Sequence, residues 1–90
     1  MIARQIFYEG RVQGVGFRFT CKQIARGFDI VGWVKNLPDG RVELQCSGER
    51  EEVDAFLEAI AESELAGHIK GVTAIPIPAL TGVRGFEISR

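Results

Sequence analysis

Three glycines and an arginine fall within nine residues near the start of the chain, in the segment Gly10-Arg11-Val12-Gln13-Gly14-Val15-Gly16-Phe17-Arg18. Because glycine has no side chain, such a backbone can turn several N–H groups toward one point. The arginine comes directly before a helical pattern, and the N-terminus of a helix attracts anions. Backbone amides, a helix N-terminus and a guanidinium together are groups that bind an oxyanion or a phosphate. On glycine count alone, a purely structural turn is an equal alternative.

The spacing of these glycines distinguishes the segment from three common nucleotide- and RNA-binding motifs. It lacks the Lys-Ser/Thr ending of the P-loop, and its glycines are not spaced as in the dinucleotide fingerprint. Residues 13–19 lack the basic first residue and the aromatic third residue of an RNA-recognition motif. They also precede the first helix, whereas that motif lies on a later strand. The segment is therefore a phosphate site of another kind, or a turn.

The composition is that of an ordinary small globular protein in which charge is unevenly distributed. The 90 residues suffice for one domain, and the net charge of -1 argues against general nucleic-acid binding. Residues 10–42 contain six basic residues and two acids, whereas residues 43–64 contain eight acids and one arginine. The glycine-rich segment thus lies in the basic part of the chain, which suits a small anionic ligand.

The sequence carries no sign of export or membrane insertion. No apolar run approaches the ~20 residues that span a bilayer, and the N-terminus lacks the apolar core of a signal peptide. We therefore expect a cytoplasmic protein that does not bind membranes. Cys21 and Cys46 are too few for a disulfide framework, and we expect two buried thiols, with a disulfide between them as the alternative.

The hydrophobic pattern predicts the elements that position the glycine-rich segment. A helix from residue 18 is indicated by an apolar stripe of Cys21, Ile24, Ala25 and Phe28, with Gly27 near its end. A second helix is predicted over 49–64, followed by a loop over 65–68 that contains His68. Strands are predicted over 3–12, 30–36, 42–47, 69–77 and 86–88, the fourth confined at its end to a sheet edge by Pro76 and Pro78.

This βαββαβ order predicts an α+β fold, a ferredoxin-like sandwich with an antiparallel four- to five-stranded sheet and two helices on one face. The second and third strands are joined by Leu37-Pro38-Asp39-Gly40, which has the chemistry of a type I turn. Asn36 therefore sits at the turn end of a hairpin. We expect Trp33, on the same strand, to pack against the sheet.

A second segment, Gly32-Trp33-Val34-Lys35-Asn36-Leu37-Pro38-Asp39-Gly40-Arg41-Val42 followed by Gly48, combines this carboxamide with the hairpin. Here the chain resembles the acylphosphatase family. Residues 10–18 match the family's first signature, G-x-V-Q-G-V-x-F-R, at every fixed position. Residues 32–48 likewise match the second, G-aromatic-V-K-N-x-x-x-G-x-V-x-x-x-x-x-G. Two separate signatures with the correct internal spacing make the resemblance specific.

The resemblance implies a small enzyme that needs no metal or cofactor and hydrolyses acyl phosphates to a carboxylate and inorganic phosphate. The family's phosphate-binding loop falls on Gln13, Gly14, Val15, Gly16, Phe17 and Arg18, and the guanidinium of Arg18 holds the phosphate. The family's asparagine, which positions the attacking water, falls on Asn36. The implied partner is a small acyl-phosphate substrate, with no nucleic acid and no membrane, and the implied state is a monomer.

Two alternatives stay open at the level of sequence. A binding module could keep the phosphate loop without turnover, although the intact Asn36 disfavours it. A related acylphosphatase-like domain handles carbamoyl phosphate within a larger maturation protein. The length of 90 residues and the start at Met1 favour a free-standing enzyme, with residues 1–90 as a single domain. The chain matches the family least over residues 63–85.

Overall fold

A computed structural model describes residues 1–89 of the chain; Arg90, the last residue of the predicted domain, lies outside the described residues. In chain order the elements are β1 (Ile2–Gly10), α1 (Phe17–Ala25), β2 (Ile30–Asn36), β3 (Val42–Gly48), α2 (Arg50–Ala61), a 3-10 helix (Glu64–His68), β4 (Ile69–Ile77) and β5 (Phe86–Ile88). The sheet has the strand order β4-β1-β3-β2-β5. The predicted ferredoxin-like α+β fold is confirmed.

Four strands of the sheet pair antiparallel, as predicted, and the fifth does not. β1 pairs antiparallel with β3 and β4, and β2 pairs antiparallel with β3. β5 runs parallel to β2, so the five-stranded sheet is mixed. The reason is topological. The chain crosses from the β4 edge to the β2 edge and returns along the sheet as β5, so β5 runs opposite to β4, as β2 also does. β4 is an edge strand, as Pro76 and Pro78 predicted.

The core lies between one face of the sheet and the two helices. Alternate residues of the central strands face it, and Ile6 and Tyr8 on β1 pair with Leu44 and Val42 on β3. All four are buried. The helices contribute their apolar stripes to the same cluster, namely Phe17, Cys21, Ala25, Val53, Phe56 and Ile60. The helix-covered face is therefore the face on which the ends of β2 and α1 meet.

Both helices end earlier than predicted. α1 ends at Ala25 because the chain tightens there, with the Phe28 N–H donating to the Ala25 carbonyl at 3.1 Å. Phe28 lies outside the helix, yet its ring still packs 6.0 Å from that of Phe56. α2 ends at Ala61 rather than at residue 64. Apolar spacing alone does not show such an end.

The predicted loop over 65–68 is a 3-10 helix. Its cap is Ser63, whose hydroxyl accepts a hydrogen bond from the Leu65 N–H at 3.1 Å. Leu65 is buried beneath it, and His68, the last residue of this helix, is half-buried rather than fully exposed. This helix meets the start of the glycine-rich segment, because a Cβ atom at Gly10 would collide with the His68 carbonyl oxygen.

The β2–β3 hairpin has the predicted turn. The Gly40 N–H donates to the Leu37 carbonyl at 3.1 Å, which closes the turn. Asn36 is the last residue of β2 and pairs with Val42, so its position at the turn end is confirmed. Val34, two residues before Asn36 on β2, is fully buried under the helices. Asn36 consequently shares the helix-covered face of the sheet.

The two cysteines are free and buried, as predicted. Burial raises the pKa of the Cys21 thiol to about 12. Burial also raises the pKa of the Cys46 thiol to about 12. Both thiols therefore stay protonated at neutral pH and belong to the apolar core.

These buried thiols predict a loss of stability at high pH. In the unfolded chain each thiol ionises near pH ~8.5, whereas in the folded protein it keeps its proton until about pH 12. The stabilisation is complete below the unfolded pKa and is lost as pH rises. The free energy of unfolding should fall by up to about 1.4 kcal/mol per pH unit for each thiol. Urea unfolding under reducing conditions at pH 7, 8, 9 and 10 measures this slope.

The Cys21→Ala variant provides the control, since it should lose one thiol's share of the slope above pH 9. An unfolding free energy that stays constant from pH 7 to pH 10 would contradict the prediction.

Candidate active site

The loop between β1 and α1 turns at two glycines in the left-handed region. Gly14 has φ 77° and Gly16 has φ 75°. A Cβ atom at either position would meet open space, so the dihedral angle and not crowding requires glycine. Gly16 is also the N-cap of α1. The loop thus delivers the chain directly into the first turn of the helix.

The N-terminus of α1 has no group of its own to neutralise its positive end. Its N-cap supplies no side-chain hydrogen bond, and its first turn contains no acidic residue. The first amide with an intrahelical partner is that of Thr20, which donates to the Gly16 carbonyl at 3.0 Å. The preceding amides of α1 have no intrahelical acceptor. An anion bound here would accept these N–H groups and interact favourably with the helix dipole.

Asn36 carries the second polar group of the site. Its Oδ1 atom is buried and has no hydrogen-bond partner among residues 1–89. Leaving a buried acceptor without a partner costs about 1–3 kcal/mol. Native proteins rarely accept this cost away from functional sites. The oxygen without a partner therefore marks Asn36 as a candidate functional residue.

A cavity of about 180 Å³ brings these groups together. Its lining residues come from the loop, the first turn of α1, the end of β2 and β5: Val12, Gly14, Gly16, Phe17, Arg18, Phe19, Asn36 and Ile88. Among residues 1–89, Arg18 is the one charged residue in this lining. It forms no ion pair within residues 1–89, and its Nη1 atom lies 3.5 Å from the Ser89 carbonyl oxygen. The cavity is consequently positive and can hold a small anion.

The last residues of the described chain close one side of this cavity. The Ser89 N–H donates to the Val34 carbonyl at 2.8 Å, which attaches the end of β5 to β2 two residues before Asn36. Ile88 is thereby held at the cavity. Nothing in the sequence pattern marked Ile88 as a residue of the site. Phe19 could have been suspected, because it is an aromatic residue that lies off the apolar stripe of α1.

The structure places Gln13 differently from the other residues of the predicted phosphate loop. Its Nε2 atom donates to the carbonyl oxygens of Leu37 and Arg41, at 2.8 Å and 2.9 Å. Both carbonyls belong to the hairpin turn that follows Asn36. Val15 is also absent from the cavity lining and packs partly against the core. The phosphate-binding roles of the backbone amides of Gln13 and Val15 stay predictions.

Trp33 and His68 do not line this cavity, and a larger groove nearby shares Ile88 with it. The Lys35 ammonium lies 5.3 Å from the centre of the Trp33 ring, on the face of the sheet that the helices leave open. These two residues line a groove of about 570 Å³ with Arg84. Within residues 1–89, no cluster of three His, Cys, Asp or Glu side chains could hold a metal ion. No helix in the same residues has the length and apolar character needed to cross a membrane.

The fold and the cavity define a small α+β protein with a positively charged cavity between a glycine-rich loop and a β-hairpin. Residues 4–88 match the Acylphosphatase family. The acylphosphatase of Archaeoglobus fulgidus is 46% identical over 90 residues, which cover 100% of this chain and 85% of that protein. The crystal structure of acylphosphatase from Bacillus subtilis has a TM-score of 0.90 and 33% identity, with 100% of both chains covered. This chain therefore belongs to the acylphosphatase family and is a hydrolase of that type.

A longer protein contains the same fold. The crystal structure of T. kodakarensis HypF has a TM-score of 0.85 and 32% identity to this chain. The alignment covers 100% of this chain and 12% of HypF. The fold thus occurs both alone and as a small part of a much longer chain.

The Gln13→Met variant tests the connection between the loop and the hairpin. Methionine fills a similar volume but donates no hydrogen bond, so both bonds to the hairpin are lost. Each carbonyl keeps a backbone partner, Gly40 for Leu37 and Leu37 for Arg41. We therefore expect a modest loss of about 1–2 kcal/mol in the free energy of unfolding. Urea unfolding measures it.

Gln23→Met on the exposed face of α1 is the matched control and should change stability little. Equal losses of unfolding free energy in the two variants would show that the hydrogen bonds from Gln13 to the hairpin do not stabilise the fold.

Proposed function

We propose that this protein hydrolyses acyl phosphates at the cavity between the loop and the hairpin, by direct attack of a water molecule on phosphorus. One observation carries the proposal. Asn36, whose buried Oδ1 atom has no hydrogen-bond partner among residues 1–89, lines the same small cavity as Arg18 and the N-terminus of α1. A site that only bound phosphate would need donors and a positive charge. An acceptor oxygen without a partner is instead suited to hold a water molecule.

Arg18 and the loop are proposed to bind the phosphoryl group. The guanidinium can form two parallel hydrogen bonds to phosphate oxygens. The amides of residues 13–18 and the positive end of α1 supply further donors that need no reorganisation during the reaction. No acidic side chain lines the cavity to compete for these donors. Charge that spreads over the phosphoryl oxygens in the transition state is thus stabilised.

Asn36 is proposed to orient the attacking water. A carboxamide is too weak a base to remove a proton, so its Oδ1 atom accepts a hydrogen bond from the water and fixes its position. The water oxygen bonds to phosphorus as the bond from phosphorus to the acyl oxygen breaks. The carboxylate leaves, and the water proton passes to an oxygen of the phosphate. Because the carboxylate is a good leaving group, positioning and charge stabilisation suffice without a covalent nucleophile.

The remaining parts of the proposal concern the setting of the reaction. We propose that the enzyme acts without a metal or cofactor, as a cytoplasmic monomer that consists of one domain over residues 1–90. Arg18 and the helix N-terminus supply the positive charge that a metal would otherwise bring to the phosphate. The alternative of a domain within a larger protein is kept because the same fold makes up 12% of HypF.

Substitution of Arg18 and of Asn36 tests the proposed roles. Replacing either residue by alanine should lower the rate of benzoyl phosphate hydrolysis by at least ~10²-fold, the effect of removing one preorganised transition-state donor. Arg18→Lys should recover little, because an ammonium cannot form the paired bonds. A steady-state assay of benzoyl phosphate loss measures these rates. Arg26→Ala, at the exposed C-cap of the same helix, is the matched control.

Full activity in Asn36→Ala would contradict the proposed role of water orientation. A wild-type protein that binds phosphate but hydrolyses no acyl phosphate would establish the binding-module alternative.

A chelator tests the metal-free mechanism. The wild-type rate on benzoyl phosphate should be the same after dialysis against EDTA as before it, because the proposed site takes its charge from Arg18. Added Mg²⁺ or Zn²⁺ should not increase that rate. Activity that disappears on dialysis and returns with a divalent cation would contradict the mechanism.

A further inference from the structure

The cavity with Arg18 and Asn36 is small. Pockets that enclose drug-sized ligands have volumes of about 300–1,000 Å³, whereas this cavity has about 180 Å³. If the phosphoryl group lies against Arg18 and the attacking water against Asn36, the acyl group lies against the remaining lining residues.

Two large apolar side chains stand exposed at this cavity. Within residues 1–89 the exposed large hydrophobic side chains are Met1, Phe19, Val72, Ile75 and Ile88. Two of these five, Phe19 and Ile88, line the cavity that contains Arg18 and Asn36. Phe19 has 59% of its surface exposed and Ile88 has 36%. Single exposed apolar residues are common on proteins, but two at one cavity mark an apolar contact surface.

Packing does not explain the position of Phe19. Phe17, two residues earlier, is buried against Tyr8, with ring centres 5.0 Å apart. A two-residue step on a helix turns the chain by more than half a circle, so Phe19 points away from that contact. Cys21 returns to the core. Phe19 thus contributes little to the core while it stands beside the anion site.

We propose that Phe19 and Ile88 form an apolar rim that binds the acyl group and favours aromatic and other apolar acyl phosphates over acetyl phosphate. This inference rests on the proposed function and adds the substrate class to it. Within residues 1–89, Arg18 is the one charged side chain in the cavity lining, and the phosphoryl group engages it. The two rim side chains themselves are apolar, and Ile88 also lines the neighbouring groove that contains Lys35 and Arg84. An apolar acyl group removes the Phe19 ring and the Ile88 side chain from water.

The test compares kcat/KM for benzoyl phosphate and acetyl phosphate in wild type, Phe19→Ala, Phe19→Leu and Ile88→Ala. The wild type should favour benzoyl phosphate. Phe19→Ala should lower the benzoyl-to-acetyl ratio about tenfold, within the range for losing an apolar pocket contact. Ile88→Ala should lower the ratio about threefold, because fewer apolar atoms are lost. Phe19→Leu keeps an apolar side chain and should recover most of the preference.

Ile75→Ala is the matched control for Ile88→Ala. Ile75 lies on the edge strand β4 with 40% of its surface exposed and does not line the cavity. Its substitution should leave both kcat/KM values unchanged. A Phe19→Ala variant that loses activity equally on both substrates, or on neither, would overturn the proposal.

A binding measurement separates failure of this inference from failure of the proposed function. Phenacylphosphonate and acetonylphosphonate replace the bridging oxygen by a methylene group and cannot be hydrolysed in the same way. Calorimetry should show that the wild type binds phenacylphosphonate more tightly and that Phe19→Ala removes about tenfold of that preference. If the wild type hydrolyses neither acyl phosphate, the proposed function fails and this binding ratio still decides the rim. Equal binding of the two phosphonates by the wild type would overturn the rim.

Discussion

The side-chain amide of Gln13 connects the two segments on which the proposed chemistry depends. Its two hydrogen bonds, of 2.8 Å and 2.9 Å, join the glycine-rich loop to the carbonyls of the hairpin turn. Arg18 follows the loop in the first turn of α1, and Asn36 directly precedes the hairpin turn. A displacement of about 1 Å between such groups can cost ~10²-fold in rate. The proposed positions of the phosphate and the water thus depend on a residue that does not line the cavity.

The site also departs from the rules that make the rest of the chain stable. α1 begins without a side-chain cap, its first turn lacks an acid, and two glycines before it have positive φ. Asn36 keeps a buried oxygen without a partner. The uncapped helix and the unpartnered oxygen are unfavourable for the protein alone, and a bound anion and a water would satisfy them. The buried cluster between the sheet and the helices offsets these costs.

Much of this arrangement could be predicted from sequence because it depends on local patterns. Alternation and helical spacing gave the element order, Pro76 and Pro78 placed β4 at an edge, and the two signatures located Arg18 and Asn36. The features that sequence did not predict depend on contacts between distant residues. Gln13 reaches carbonyls 24 and 28 residues away, and β5 pairs parallel only because the chain crosses the whole sheet. The predicted end of α1 was wrong for another reason, because its apolar spacing continues to Phe28, past the point where the backbone leaves the helix.

The central claim is that phosphate binding and water orientation belong to different residues of one cavity. The most direct test is the affinity of the Asn36→Ala variant for inorganic phosphate, measured by calorimetry beside wild type and Arg18→Ala. If the two roles are separate, Asn36→Ala should bind phosphate within about threefold of wild type, a difference of less than 1 kcal/mol. Arg18→Ala should bind phosphate far more weakly. Loss of phosphate binding in Asn36→Ala to the same extent as in Arg18→Ala would contradict the central claim.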